Sequence, residues 1–147
     1  MPETRTGPVA AADVPVNRRR GGDLRVVLGP KTCGATTGFM GTLVLAPGEF
    51  VSEHYHPYSE EFLYVVRGRL TVRLDGTDEL SVGAGEGLMV PKNVRHRVTN
   101  TEDAEAFAVF QLCPLAPRPE LGHVDTEPPP NGAVGQPEVG APGGSHQ

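Results

Sequence analysis

Long apolar runs are missing from this chain: nowhere do about eighteen apolar residues follow one another, the length a membrane-spanning helix requires. The opening stretch MPETRTGPVAAADVPVNRRR holds no apolar segment of the kind at the centre of a secretion signal. A soluble, cytoplasmic protein with no membrane partner is therefore expected. Cysteine is scarce as well. The two that occur, Cys33 and Cys113, show no CxxC spacing, which in a chain without an export signal excludes a disulfide framework and leaves reduced thiols. Clustered positive charge is also lacking. The formal net charge is -5 and the single basic run is Arg18, Arg19 and Arg20, so the cationic face that a nucleic-acid backbone needs is excluded. Finally, no stretch of about twelve residues keeps a helical period without a breaker, which excludes helices as the framework.

What is present is punctuation. Most of the 15 prolines lie before residue 21 or after residue 113, which predicts a folded domain over residues 22–117. Residues 1–21 are expected to be a flexible tail and residues 118–147 an extension, disordered after about residue 128, because EPPPNGAVGQPEVGAPGGSHQ offers little to bury. His146 lies there and is assigned no role. Inside the domain, short runs rich in Val, Leu, Phe and Tyr are bounded by Gly, Pro, Asn or Asp. They read as strands at 24–28, 37–46, 50–56, 61–68, 69–74, 79–82, 87–91, 95–100 and 104–113. Many short strands with Gly turns predict an all-β antiparallel sandwich or small barrel, and Asp75-Gly76 marks one hairpin turn.

Residues two apart on a strand share a face. His54 and His56 in EHYHPYSEE therefore project together, with Tyr55 opposite, while His96 in RHR points away from Arg95 and Arg97. Three imidazoles and one carboxylate converging in a barrel form a donor set for Zn, Fe, Mn, Ni or Cu. Glu60 and Glu61 compete for the carboxylate position. On the last long strand Gln111 interrupts an apolar run; a buried amide needs partners, so it is expected to line the cavity with Phe107 and Val109 on the same face, and Met40 on another strand. His123, in LGHVDTE, is expected at the surface, a fourth imidazole ligand from that segment being the less favoured reading.

Two sets of fixed spacings carry a family resemblance. Gly48, His54, His56, Glu61 and Gly68 follow G-x5-HxH-x4-E-x6-G, and Gly85, Pro91, His96 and Asn100 follow G-x5-P-x-G-x2-H-x3-N, with Asn93 where that motif has glycine. The chain thus resembles the cupins, which implies a single double-stranded β-helix, or jelly-roll, barrel. The resemblance makes Glu61, seven residues before Gly68, the ligand beside His54, His56 and His96, and leaves Glu60 a nearby acid. Residues 36–127, including PLAPRPELGHVDTE, are similar to the small single-domain cupins of bacterial aromatic (type II) polyketide synthase clusters, of the tetracenomycin, spore-pigment and resistomycin kind.

That similarity implies a metal-dependent cyclase, or a cyclisation-assisting protein, acting on a poly-β-ketone, with one divalent ion, zinc foremost, as Lewis acid. It further implies a substrate tethered to an acyl carrier protein, other synthase subunits as partners, and a homodimer. Glu60, Tyr55 and Gln111 are the candidate catalytic side chains, and Arg95, Arg97 or the run from Arg18 to Arg20 a docking patch for an acidic carrier. The alternatives are an oxygenase built on the same ligands and a non-catalytic member of a synthase complex.

Overall fold

The computed structural model describes residues 4–140. His146 lies outside them. The described residues form eleven strands: β1 (Val16–Asn17), β2 (Asp23–Leu28), β3 (Phe39–Leu45), β4 (Phe50–Tyr55), β5 (Glu60–Arg67), β6 (Arg69–Leu74), β7 (Asp78–Gly83), β8 (Gly87–Val90), β9 (His96–Thr99), β10 (Ala106–Cys113) and β11 (Val124–Asp125). Between them stand one helical turn, Pro30–Cys33, and two 3-10 turns, Ala11–Asp13 and Pro119–Leu121. None of the helices among the described residues is long and apolar enough to cross a membrane. The nine strands expected from alternation and turn signals are all there, with ends moved by a residue or two.

The strands make two antiparallel sheets, ordered β1-β2-β3-β10-β5-β8 and β11-β4-β9-β6-β7. Alternation drives their pairing into a jelly-roll barrel. On β3 it sends Phe39, Leu43 and Leu45 inward, on β5 Leu63 and Val65, and on β10 Ala108, Phe110 and Leu112. The facing sheet contributes Val51, Leu70, Val72 and Val98 to the same core. Small residues make room for large ones. A Cβ on Gly41 would stand 2.8 Å from the ring of Phe110 and 2.2 Å from the Arg25 carbonyl. With hydrogen there instead, Phe110 packs edge-on against Phe39 at 6.0 Å.

The turns keep the expected chemistry. Gly68 reverses the chain between β5 and β6 at φ +84°, and a Cβ there would lie 2.9 Å from the Ala106 backbone, so both conformation and space demand glycine. Asn93 occupies its turn at φ 67°, a left-handed conformation that asparagine tolerates better than most residues.

Two expectations need correcting. Gln111, Phe107, Val109 and Met40 do not line the cavity: they lie on the outer face of the six-stranded sheet, where Gln111 pairs in register with Met40 and Phe62. On that face Phe62, Tyr64 and Met89 are also exposed. The period was read correctly and the face inverted: Ala106, Ala108, Phe110 and Leu112 point in.

The segments read as tails also pack onto the barrel. β1 pairs with β2, the Arg20 carbonyl accepts from the Ser52 amide at 2.9 Å, and Asn131 Nδ2 donates to the Arg18 carbonyl at 2.7 Å. The Arg19 guanidinium donates to the carbonyls of Gly132 and Val134 at 2.9 and 2.6 Å, and Val139 joins the core. Ordering without regular structure is possible because each guanidinium offers five donors to backbone carbonyls that Pro and Gly leave unpaired.

Candidate metal centre

At β4 the register against β9 slips by one residue between Val51 and His54. Val51 and His54 are three apart and would otherwise face opposite sides of the sheet; the bulge turns both inward. His56 follows just past the strand end, Glu61 opens β5, and His96, paired with His54 across the sheet, opens β9. All four are buried, His96 to 1% exposure. Their ligand atoms lie within 4.8 Å of one another. The structure thus brings together the four side chains expected as metal ligands.

The hydrogen bonding behind the imidazoles decides what their front atoms can do. His54 Nδ1 donates to the Ser52 carbonyl at 2.7 Å, His56 Nδ1 to the Gly122 carbonyl at 3.0 Å and His96 Nδ1 to the Val94 carbonyl at 3.0 Å. A carbonyl only accepts, so each Nδ1 carries hydrogen and each Nε2 turns a lone pair toward the others. Backbone carbonyls of this kind orient ligating histidines in metalloproteins. Glu61 Oε1 then sits 3.0 Å from His56 Nε2 and 3.2 Å from His96 Nε2. Lone pairs converging on a carboxylate oxygen repel unless a positive charge stands among them. The four residues therefore fit a divalent cation.

Without an ion, a proton shared between Glu61 and His96 supplies that positive charge instead. Burial opposes ionisation of Glu61, but His96 and His56 outweigh it and hold the carboxyl well below its usual range. Burial would lower His96; the Glu61 carboxylate reverses this and leaves it above the ordinary imidazole value. His54 has no such acceptor, and burial with His96 and His56 beside it pushes it well down.

A pH dependence follows for protein stripped of metal by chelation. The contribution of His96 is fully present below the unfolded value of about 6.5 and is lost as pH rises through its raised folded value. His54, buried and neutral, acts oppositely: its stability is present above about 6.5 and falls away as acid protonates the unfolded chain. Urea midpoints of the chelated protein are expected to peak near neutrality and to decline as pH rises through the raised folded value of His96. His96→Gln should abolish the alkaline decline, and an unchanged slope in that variant would remove the His96–Glu61 pair as its cause.

Around the four lies an apolar cavity walled by Leu24, Phe39, Leu43, Leu63, Phe110 and Leu112. The two terminal segments also line it, through Asn17, Arg20, Gly21 and Pro137. Arg20, 7% exposed, is held by Asp125 at 2.7 Å and Gln136 at 2.6 Å. His123 corrects the surface expectation: it is 7% exposed and lines the cavity, Nδ1 3.2 Å from His56 Nδ1. Burial, then His56 beside it, keeps its basicity well below normal. Sequence reasoning gave Arg20 and Asp125 no place at the cavity and offered His123 only as the less favoured ligand; the signal for His123 and Asp125 was the LGHVDTE segment itself.

Tyr55 and Glu60 do not line the cavity. Tyr55 pairs with Val124 on the far side of β4, and Glu60 is half-buried at the start of β5 opposite Cys113. The arginines read as a docking patch are paired within the chain: Arg19 and Arg20 with Asp125, Arg95 with Glu53 and Asp75, and Arg97 with Glu127.

A cupin domain family model matches residues 41–111. The chain is 60% identical over 127 residues to protein SchB of Streptomyces halstedii, an alignment covering 86% of this chain and 91% of that one. It is 50% identical over 132 residues to tetracenomycin polyketide synthase protein TcmJ of Streptomyces glaucescens, covering 90% and 88% respectively. Among solved structures the polyketide cyclase RemF from Streptomyces resistomycificus has the same fold, with a TM-score of 0.68 at 18% identity over 87% of this chain and 90% of that one.

Proposed function

The chain belongs to the cupin family, among members associated with polyketide synthases, and from that premise we propose that it is a metal-dependent cyclase acting on an aromatic-polyketide precursor. The observation that carries the reading is the arrangement of three Nε2 atoms and one carboxylate lining a mainly apolar cavity. His54, His56, His96 and Glu61 would hold the ion; zinc suits this set and a reaction without redox change. When bound, a divalent ion supplies a Lewis-acid charge to a ketone or enolate oxygen.

The chain's own residues do the rest. A poly-β-ketone has methylenes flanked by carbonyls. Ring closure removes a proton from one such carbon, joins that carbon to a distant carbonyl carbon, places a proton on the oxygen and ends with loss of water. Leu24, Leu43, Leu63, Phe110 and Leu112 present apolar side chains beside the cluster, and in this reading the part of the chain they hold against it decides which ring forms. The burial of His54, His56, Glu61 and His96 keeps the charge of the ligand set little screened. The substrate arrives tethered to an acyl carrier protein. Because Arg19, Arg95 and Arg97 are paired within the chain, docking of an acidic carrier draws little on them.

Reconstitution with a carrier-bound poly-β-ketone under nitrogen tests this. Zinc-loaded protein is expected to direct ring closure as fully under nitrogen as in air. Turnover that needs oxygen would make the protein an oxygenase instead. A product distribution unchanged after His54 and His96 are both replaced by alanine would make it a non-catalytic component of the synthase.

A further inference from the structure

His123 is the one imidazole of the cavity that lies outside the ligand set. It comes from a segment built with some care: Pro119–Leu121 turns the chain, the Gly122 carbonyl fixes His56, and Val124–Asp125 pairs with β4 while Asp125 anchors Arg19 and Arg20. His123 is outside the group whose ligand atoms lie within 4.8 Å of one another. Its Nε2 is buried and has no hydrogen-bond partner among the described residues.

Its tautomer follows from its neighbour. His56 Nδ1 must carry hydrogen, because the Gly122 carbonyl 3.0 Å away can only accept. His123 Nδ1 faces that same N–H at 3.2 Å. Two N–H groups pointed at each other would repel, so His123 Nδ1 is the bare acceptor of a shared hydrogen and its own hydrogen is on Nε2. The result is a buried N–H with no acceptor among the described residues, in a cavity lined mainly by apolar side chains and the four-residue cluster. An unmet buried donor costs about 1–3 kcal/mol, and a structure tolerates that where something is to fill it.

We propose that His123 Nε2–H is a specificity donor that binds an oxygen of a β-dicarbonyl or its enolate, beside the cluster of His54, His56, Glu61 and His96. It selects among the oxygens of a polyketone by position, so that one carbonyl is held by the imidazole while another faces the cluster. A site made to donate to an oxygen discriminates strongly against a chain that lacks one there, because the donor is then left buried and unpaired. This assignment rests on the cyclase reading for its ligand class, whereas the tautomer does not depend on it.

Two measurements test it. Long-range proton–nitrogen spectra of protein carrying 15N-histidine resolve tautomers directly, and the chain has only 5 histidines to assign. The expected result is a bare Nδ1 and a protonated Nε2 at His123; the opposite tautomer overturns the proposal. Acetylacetone is then titrated onto zinc-loaded wild type, His123→Phe and His123→Gln. His123→Phe should bind about tenfold more weakly, the equivalent of one hydrogen bond, with zinc content and zinc affinity unchanged. His123→Gln, which keeps a donor, should recover most of the loss, and its amide serves as the comparison if the phenylalanine variant does not fold. Loss of zinc from either variant would make His123 a ligand and overturn the proposal. Equal acetylacetone binding by all three would overturn it while leaving the cyclase reading intact. Absence of binding to wild type would end both.

Discussion

Replacing His96 with alanine is expected to weaken zinc binding by more than about 100-fold, the upper range for losing a group that only supports a ligand, and to end directed ring closure. His96 is 1% exposed, so no other polar group can move into its place without disturbing the core. It faces Glu61 Oε1 at 3.2 Å and lies against His54 with tilted rings, centroids 4.3 Å apart, so its loss removes one donor and unsettles two more. The metal-free protein suffers too. Glu61 keeps only His56 as a partner, and a buried carboxylate deprived of a partner costs about 3–5 kcal/mol. Competition with a chromophoric chelator gives the affinity, and elemental analysis the stoichiometry. Near-native zinc affinity in the variant would remove His96 from the ligand set.

Asn100→Ala is expected to destabilise the fold by roughly 3 kcal/mol, about 1 kcal/mol for each hydrogen bond removed. The side chain is fully buried; Nδ2 donates to the Leu45 and Ala104 carbonyls at 2.9 Å, and Oδ1 accepts from the Glu102 amide at 2.9 Å. The backbone of the same residue bonds Gly48 and Glu49. One residue thus fastens the end of β9 to the end of β3 and to two turns. Thermal unfolding should move down by about 10 °C. Zinc affinity per folded molecule should change little, since none of these bonds reaches the cluster. A variant that unfolds normally but loses zinc would place Asn100 in the site and contradict this account.

How much of this was readable beforehand depended on whether the information was local. His54 and His56 share a face because they are two apart, and Gly68 and Asn93 occupy turns that need their backbones, so the strands, the turns and the three histidines could be read from the sequence, while the choice of Glu61 over Glu60 came from the family spacing. The slip between Val51 and His54 could not be. It is a property of two strands in register, with no signal in either alone. Gln111 misled for a related reason: alternation assigns residues to two faces, and only the neighbouring sheet decides which face is inside. Composition misled at both ends of the chain, where Arg19 and Arg20 are held by Asp125, more than a hundred residues later, by hydrogen bonds that leave no periodic trace.

The position of β10 between β3 and β5 bears on how the molecule comes into being. During synthesis the four clustered residues, the last of them His96, emerge before Ala106–Cys113 is available to close the sheet around them. Arg20 likewise waits for Asp125, a separation of 105 residues. Chains dominated by such remote pairings fold in milliseconds to seconds, where local helical ones take microseconds. Until β10 inserts, the imidazoles lack the finished wall that holds them, so ions captured early should exchange freely. Tight retention should begin only once the sixth strand is in place, which makes metal selection the last event of folding instead of the first.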